Sequence, residues 1–277
     1  MNHIRVERPG PVGVITIDRR ERMNSLDVAT AQELRKAGLA MARDRDVRAV
    51  VLRGDGGVFC SGADLKYIRG GGDGGDLGYL RPESHEQSTS YGEIFKQILE
   101  YIHSTISEIR RAPKPFIAAV DGAAGAGGLG IAMACDLVVA SERSWFEWAY
   151  FKTGLTGAES STFMLPRLVG FRKAMELVLL NPRLTAREAL EIGLINDVYP
   201  DLELDDRALQ LAARLAEAPT AAVGVAKNLL NRAAGMDRLD VHLDSELDEL
   251  ARIADGRNFA EGIDAFFAKR APRFGSE

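Results

Sequence analysis

Apolar and polar positions alternate at the start of the chain, where IRVER and VGVITID read as two strands joined by a Pro/Gly turn. Asp27 then precedes a stretch of helical spacing that runs to about Arg43, and it stands where an N-cap belongs. VRAVVLRG is an unbroken apolar run, the pattern of a strand buried on both faces. From Tyr91 to Arg111 the residues Ile94, Phe95, Ile98, Leu99, Ile102, Ile106 and Ile109 recur at helical spacing until APKP stops the helix. PFIAAVDG reads as a strand entering a glycine loop, IAMACD as a short helix and LVVASE as a further buried strand. In LTAREALEIGLI, Thr185 and Glu188 form a capping box and Gly193 suits the helix end. Only helical patterns follow Leu204. The order predicts an α/β core over residues 1–200 and a helical section over 201–277. RGGGDGGDLGYLRPES, with six glycines and few apolar residues, predicts a mobile loop from Arg69 to about Pro82.

A chain of 277 residues can bury a sizeable core without staples. No apolar run approaches the ~20 residues needed to cross a bilayer, and the N-terminal stretch resembles neither a signal nor a transit peptide. A cytoplasmic location is expected. Cys60 and Cys135 lie far apart, which suggests neither a disulfide framework nor a zinc pattern, and His3, His85, His103 and His242 match no metal-ligand spacing. The formal charge of -5 opposes attraction to nucleic acid or an anionic membrane, so neither is expected as a partner, and an anionic ligand would need a local basic patch.

GAGGLG, Gly125 to Gly130, is a literal G-x-G-x-x-G. The dinucleotide reading has a strand before it, a strand after it and Glu142 near the distance expected of a ribose ligand. It fails on length. Only IAMACD separates the loop from the next strand, whereas a crossover helix covering a parallel sheet needs about ten residues or more. A turn built only for shape is one remaining reading. In the other, the glycines let a thioester carbonyl approach the free N–H of Gly127 at a helix start, where the dipole favours negative charge. SGADL offers a second donor, because Ala63 follows a glycine and precedes Asp64 at another loop-to-helix transition. Two such turns after two buried strands can make an oxyanion hole.

RMNSL, VFCSGADLK, KPFIAAVDGAAGAGG with ACDLVVASE, LPRLVG, LTAREALEIGLI and EGIDAFFAKR stand in order along the chain, and together they resemble the enoyl-CoA hydratase/isomerase, or crotonase, family. The resemblance implies a crotonase-like spiral of ββα units with a helical C-terminal trimerisation region, assembled as a homotrimer or a dimer of trimers. It implies an acyl-CoA thioester as substrate, with coenzyme A as part of that substrate and no separate cofactor. The amides of Ala63 and Gly127 would hold the thioester oxygen. Arg22, Lys66 and Lys269 match positions where the family contacts CoA phosphates, Lys269 across a subunit boundary, and Ser61, Asp64 and Leu65 belong to the same binding segment. Asp64 also suits a helix cap near the adenine pocket.

Hydratases of the family place two glutamates around the water, at positions that correspond here to Gly130 and Tyr150. Paired-glutamate hydration is therefore not expected. Glu159 in GLTGAESS matches the turn on which isomerase-like relatives carry an acidic proton shuttle, and a single carboxylate in an apolar pocket that raises its pKa can move a proton between two carbons. The bland alternative is a carboxylate that caps the following helix. Tyr150 can donate to Glu159 or to substrate, or simply pack beside Phe146 and Trp148. Cys60 reads as a small core residue. The expected activity is double-bond isomerisation or atypical hydration of an enoyl-CoA through a stabilised enolate. A noncatalytic acyl-CoA-binding or RNA-binding relative is the alternative from another class, and a serine peptidase on a related fold lacks a histidine recognisably partnered with Ser61.

Overall fold

The computed structural model describes residues 1–73 and 90–275. Strands β1 (Ile4–Glu7) and β2 (Val12–Ile17) pair antiparallel. β3 (Ala49–Gly54), β4 (Phe116–Val120), β6 (Leu137–Ser141) and β9 (Asp197–Tyr199) continue the sheet in parallel, in the order β1-β2-β3-β4-β6-β9. Strand side chains alternate between two apolar layers. Ile15, Val50, Leu52, Phe116 and Ala118 face helices α1 (Val28–Arg43) and α3 (Tyr91–Arg111), whereas Val14, Val51, Ile117 and Val139 face Leu204, Ala208 and Ala212 of α8 (Leu204–Glu217). Burial on both faces explains why these strands read as unbroken apolar runs.

The expected caps form. Asp27 accepts from the Thr30 amide, Thr185 and Glu188 close their box at α7 (Ala186–Glu191), and Gly193 takes a left-handed φ of 76° just past it. The helix expected over Tyr91–Arg111 has those bounds, with a Ser90/Glu93 capping box at its start. The expected mobile loop begins too early, since Arg69 closes α2 (Leu65–Arg69), and its residues beyond 73 lie outside the described residues. After α8 come α9 (Thr220–Ala233), α10 (Leu239–Ala254) and α11 (Arg257–Phe267). None of the described helices is long and apolar enough to cross a membrane.

A second, smaller sheet positions the site. β5 (Ala123–Gly125) pairs in parallel with β7 (Trp145–Glu147), which pairs with β8 (Leu184–Thr185). Single bridges continue this ladder backwards along the chain: Cys60 lies opposite Ala124, and Ala63 opposite Leu26. The passes through β2, β3, β4 and β6 thus each contribute one strand to the large sheet, a short extended piece to the small ladder, and then a helix.

Candidate active site

The Cys60–Ala124 bridge sets a register between two segments, with the Cys60 amide donating to Ala123 O at 3.0 Å and the Gly125 amide to Cys60 O at 3.1 Å. Counting on from that pair brings Gly62 level with Ala126, and a β-carbon on Gly62 would stand 3.0 Å from Ala126 Cβ and 3.2 Å from Gly127 N. One residue further, Ala63 and Gly127 are therefore register mates. Each follows a residue of positive φ, Gly62 at 95° and Ala126 at 45°. Such a φ is free for glycine and costs about 1–2 kcal/mol for alanine, a strain found where surroundings fix the backbone for a purpose. Gly127 opens α4 (Gly127–Ala134), so helix geometry gives its N–H no intrahelical acceptor. In the Ala63 bridge the hydrogen bonds run from Leu26 N to Gly62 O and from Asp64 N to Leu26 O, which leaves Ala63's own N–H out of that ladder.

Both residues line a cavity of about 470 Å³. Its apolar wall comes from four parts of the chain: Phe95 on α3, Leu155 after the 150–153 turn, Leu250 on α10, and Phe266 with Phe267 on α11. Arg22, Lys66 and Lys152 supply cationic groups to the same cavity, and Lys66 and Lys152 are exposed. Ser61, Asp64, Leu65, Tyr150 and Glu159 line it as well. Of the residues expected from the sequence, Lys269 alone is outside this lining. It is exposed, just past the end of α11.

Glu159 is 3% exposed, and its carboxylate accepts the Tyr150 hydroxyl at 2.5 Å through Oε2. Burial pushes its pKa up to about 7; the Tyr150 hydrogen bond pulls the other way and the charge of Glu246 adds to the rise. Burial, reinforced by the neighbouring carboxylate, also holds the Tyr150 phenol well above its ordinary value, so it serves as donor. The bland expectation for Glu159 is overturned: its carboxylate does not cap α5 (Ser161–Val169). Glu246 of α10 does, accepting from Ser160 N at 2.8 Å and Thr162 N at 2.9 Å. Tyr150 both packs, 4.9 Å from the Trp148 ring, and donates.

The glycines of GAGGLG answer a packing need. A β-carbon on Gly127 would meet Glu159 Oε1 at 2.6 Å, one on Gly128 would meet Cys60 O at 2.1 Å, and one on Gly130 would meet Glu159 O at 2.2 Å. The space a side chain at 130 would need is thus filled by the turn that carries Glu159.

Asp64 is the cap expected of it, accepting from Lys66 N and Tyr67 N at 3.0 Å each. Burial alone would push its pKa up, but the Arg22 hydrogen bond, the Tyr67 amide and the charges of Arg19 and Arg22 outweigh it and hold the group below the usual aspartate range. Asp64 thereby ties Arg22 at the cavity edge, with Nε–Oδ2 at 3.0 Å. Burial pushes the Cys60 thiol up to about 12, in keeping with a core residue.

Three polar groups behind the cavity escaped the sequence reading. His103 is buried, its Nε2 accepts the Glu159 amide at 3.3 Å, and burial lowers its pKa to about 4. Glu246 and His242 meet at Thr162, whose hydroxyl lies 2.8 Å from His242 Nε2. The available signal was a polar residue inside an apolar stripe: His103 between Leu99 and Ile106, and Glu246 between Leu243 and Leu250. Among the described residues no group of three His, Cys, Asp or Glu side chains is arranged to hold a metal ion.

An α/β spiral with a cavity between adjacent turns and a buried carboxylate in its wall defines the class, and comparison with known proteins gives the family. The enoyl-CoA hydratase/isomerase model matches residues 7–277, and the chain belongs to that family. It is 34% identical to 4-chlorobenzoyl coenzyme A dehalogenase-2 of Arthrobacter sp over 268 residues, 97% of this chain and 91% of that protein. It is 33% identical to the 1,2-epoxyphenylacetyl-CoA isomerase of Escherichia coli K12 over 265 residues, 95% and 94% of the two chains. The crystal structure of an enoyl-CoA hydratase from Mycobacterium avium subsp. paratuberculosis K-10 superposes with a TM-score of 0.84 at 30% identity, covering 99% of both chains. The fold is that of the crotonase enzymes.

Proposed function

We propose that the protein is an acyl-CoA enzyme that moves a double bond in an enoyl thioester, with Glu159 as the proton shuttle and the amides of Ala63 and Gly127 as an oxyanion hole. The observation that carries this reading is the buried Glu159 carboxylate, with its pKa pushed up to about 7, in the wall of the cavity that Ala63 and Gly127 also line. Of the carboxylates in that lining, Asp64 is held by Arg19 and Arg22 and Glu21 is exposed.

Glu159 takes a proton from the carbon next to the thioester of a 3-enoyl substrate; the electron pair left there delocalises onto the thioester oxygen and, through the adjoining double bond, onto the carbon two bonds away, and two N–H donors stabilise the charge on the oxygen. The same carboxylate then returns the proton to the carbon two bonds away, which leaves a 2-enoyl product with no change in mass. A donor aimed at the developing oxyanion is worth roughly 10²- to 10³-fold in rate. A pKa near 7 suits both halves of the cycle. Tyr150 holds the carboxylate in place. Arg22 and Lys66, with Lys269 of a neighbouring subunit in a trimer or dimer of trimers, would pair with the CoA phosphates, and the apolar wall suits a bulky acyl chain.

Atypical hydration is the second reading, because one raised carboxylate can also activate water. Incubation with 2-enoyl-, 3-enoyl- and dienoyl-CoA, followed by ultraviolet absorbance and mass, separates the two: isomerisation shifts absorbance at constant mass, whereas hydration adds one water. Glu159→Gln is expected to lower turnover about 10²- to 10⁴-fold while CoA-thioester binding persists. Near-normal turnover in that variant removes Glu159 from the mechanism, and binding without turnover across the whole panel favours a noncatalytic relative.

A further inference from the structure

Glu159 and Ser160 are consecutive non-glycine residues in left-handed conformations, φ 51° and 64°. Each costs about 1 kcal/mol or more, and a pair of them persists only where neighbours over-determine the backbone. Of the amides from 159 to 162, that of Ser161 donates to Ala158 O at 2.9 Å within the turn, and the other three are held from outside their own segment. His103 on α3 accepts from the Glu159 amide, and both carboxylate oxygens of Glu246 on α10 accept from the amides of Ser160 and Thr162. The Thr162 hydroxyl also donates to Glu246, and His242 Nε2 stands beside both, 2.8 Å from that hydroxyl and 3.6 Å from Glu246 Oε1. Ser160, the formal N-cap of α5, makes no side-chain capping bond of its own, so the cap comes from a residue more than eighty positions further along the chain. Glu246 is 5% exposed and lines no part of the cavity, and no step assigned to Glu159 uses it.

We infer that Glu246 is a positioning residue whose carboxylate locks the 159–160 turn so that the Glu159 side chain faces the cavity beside Gly127. The inference rests on Glu159 being the proton shuttle. It gives α10 a catalytic consequence at one remove, because geometry within about 1 Å decides proton-transfer rates.

Glu246 has a second effect through its charge. The groups facing Glu159 are Tyr150 from the 150–153 turn, His103 from α3, Cys60 from the adjoining ladder and Glu246 from α10, with His242 behind Glu246. Among the causes acting on Glu159, the Glu246 charge raises the pKa. Removing that charge lowers it, and the acid limb of the kcat profile then moves to lower pH.

Two variants separate reach from charge, read as kcat, KM and the kcat–pH profile beside wild type and Glu159→Gln. Glu246→Gln loses the charge and one of the two acceptors; kcat is expected to fall about tenfold or more, with KM within about twofold, and the acid limb to shift down. Glu246→Asp keeps the charge but is one methylene short of the amides; kcat is expected to fall while the limb stays where it is in wild type. Wild-type kcat and an unmoved limb in folded Glu246→Gln overturn the inference, as does wild-type kcat in folded Glu246→Asp. If neither variant folds, Thr162→Val, which removes the hydroxyl bond to Glu246 and leaves the amides, decides it: a reduced kcat at constant KM supports positioning, and an unchanged kcat overturns it. Retained turnover in Glu159→Gln instead sinks the assignment of the shuttle, so the two failures are distinct.

Discussion

A carboxyl group whose pKa rises from 4.5 to about 7 on folding makes the native state bind a proton that the unfolded chain releases. Between those two values the stability contributed by Glu159 falls as pH rises, and above pH 7 the loss is complete. At about 1.4 kcal/mol per unit the shift corresponds to about 3 kcal/mol. Glu159→Gln is therefore expected to be more stable than wild type at pH 8, by up to about that amount, and equal to it at pH 4; denaturant midpoints at the two pH values check this. Equal midpoints at pH 8 would show that folding costs the carboxylate nothing. His103, whose pKa burial depresses to about 4, acts with the opposite sign, since its contribution is present above pH 6.5 and is lost as pH falls through 4. The side chain proposed as the proton shuttle is thus one that the fold holds at a cost.

At the scale of elements, α4 is a helix whose first turn carries almost no side chains, so that two other segments can touch its backbone. The Cys60 strand end reaches Gly128, and the Glu159 turn reaches Gly127 and Gly130. Gly127→Ala places a β-carbon only 2.6 Å from Glu159 Oε1 and so displaces the carboxylate. Turnover is expected to fall at least 10²-fold, whereas stability drops by only about 1–3 kcal/mol, the usual cost of overpacking. Activity assays on the folded variant test this, and activity near wild type would show that the carboxylate has room to move. Elements with local signatures were legible in the chain: α1 from Asp27, α3 from its apolar stripe, α7 from its capping box. The cap of α5 was not, because its carboxylate comes from α10. Gly62 announced the turn before Ala63, whereas nothing local marks Ala126 for its φ of 45°.

Among the described residues, two of the helices that expose large apolar side chains carry three or more of them each. On α6 (Phe171–Leu180) these are Phe171, Met175, Leu179 and Leu180, and on α9 they are Val225, Leu229 and Leu230. The trimer or dimer of trimers proposed for the protein would cover such surface, and light scattering is expected to give three or six times 30.1 kDa. A monomer at micromolar concentration would remove the assembly and, with it, the role of Lys269 in a neighbouring subunit's site.

By itself the sequence determined the family, the alternation of buried strands and helices, and the short list that held Ala63, Gly127, Tyr150 and Glu159. Those properties reside in residue types at short separations, where propensity and hydrophobic period act. Tertiary structure alone decided that Glu246 rather than Glu159 caps α5, that His103 accepts the Glu159 amide, and that the α4 glycines make room for a carboxylate. Each of these is a contact between segments tens of residues apart, and whether it forms depends on the ladder register and on burial, which no local pattern encodes.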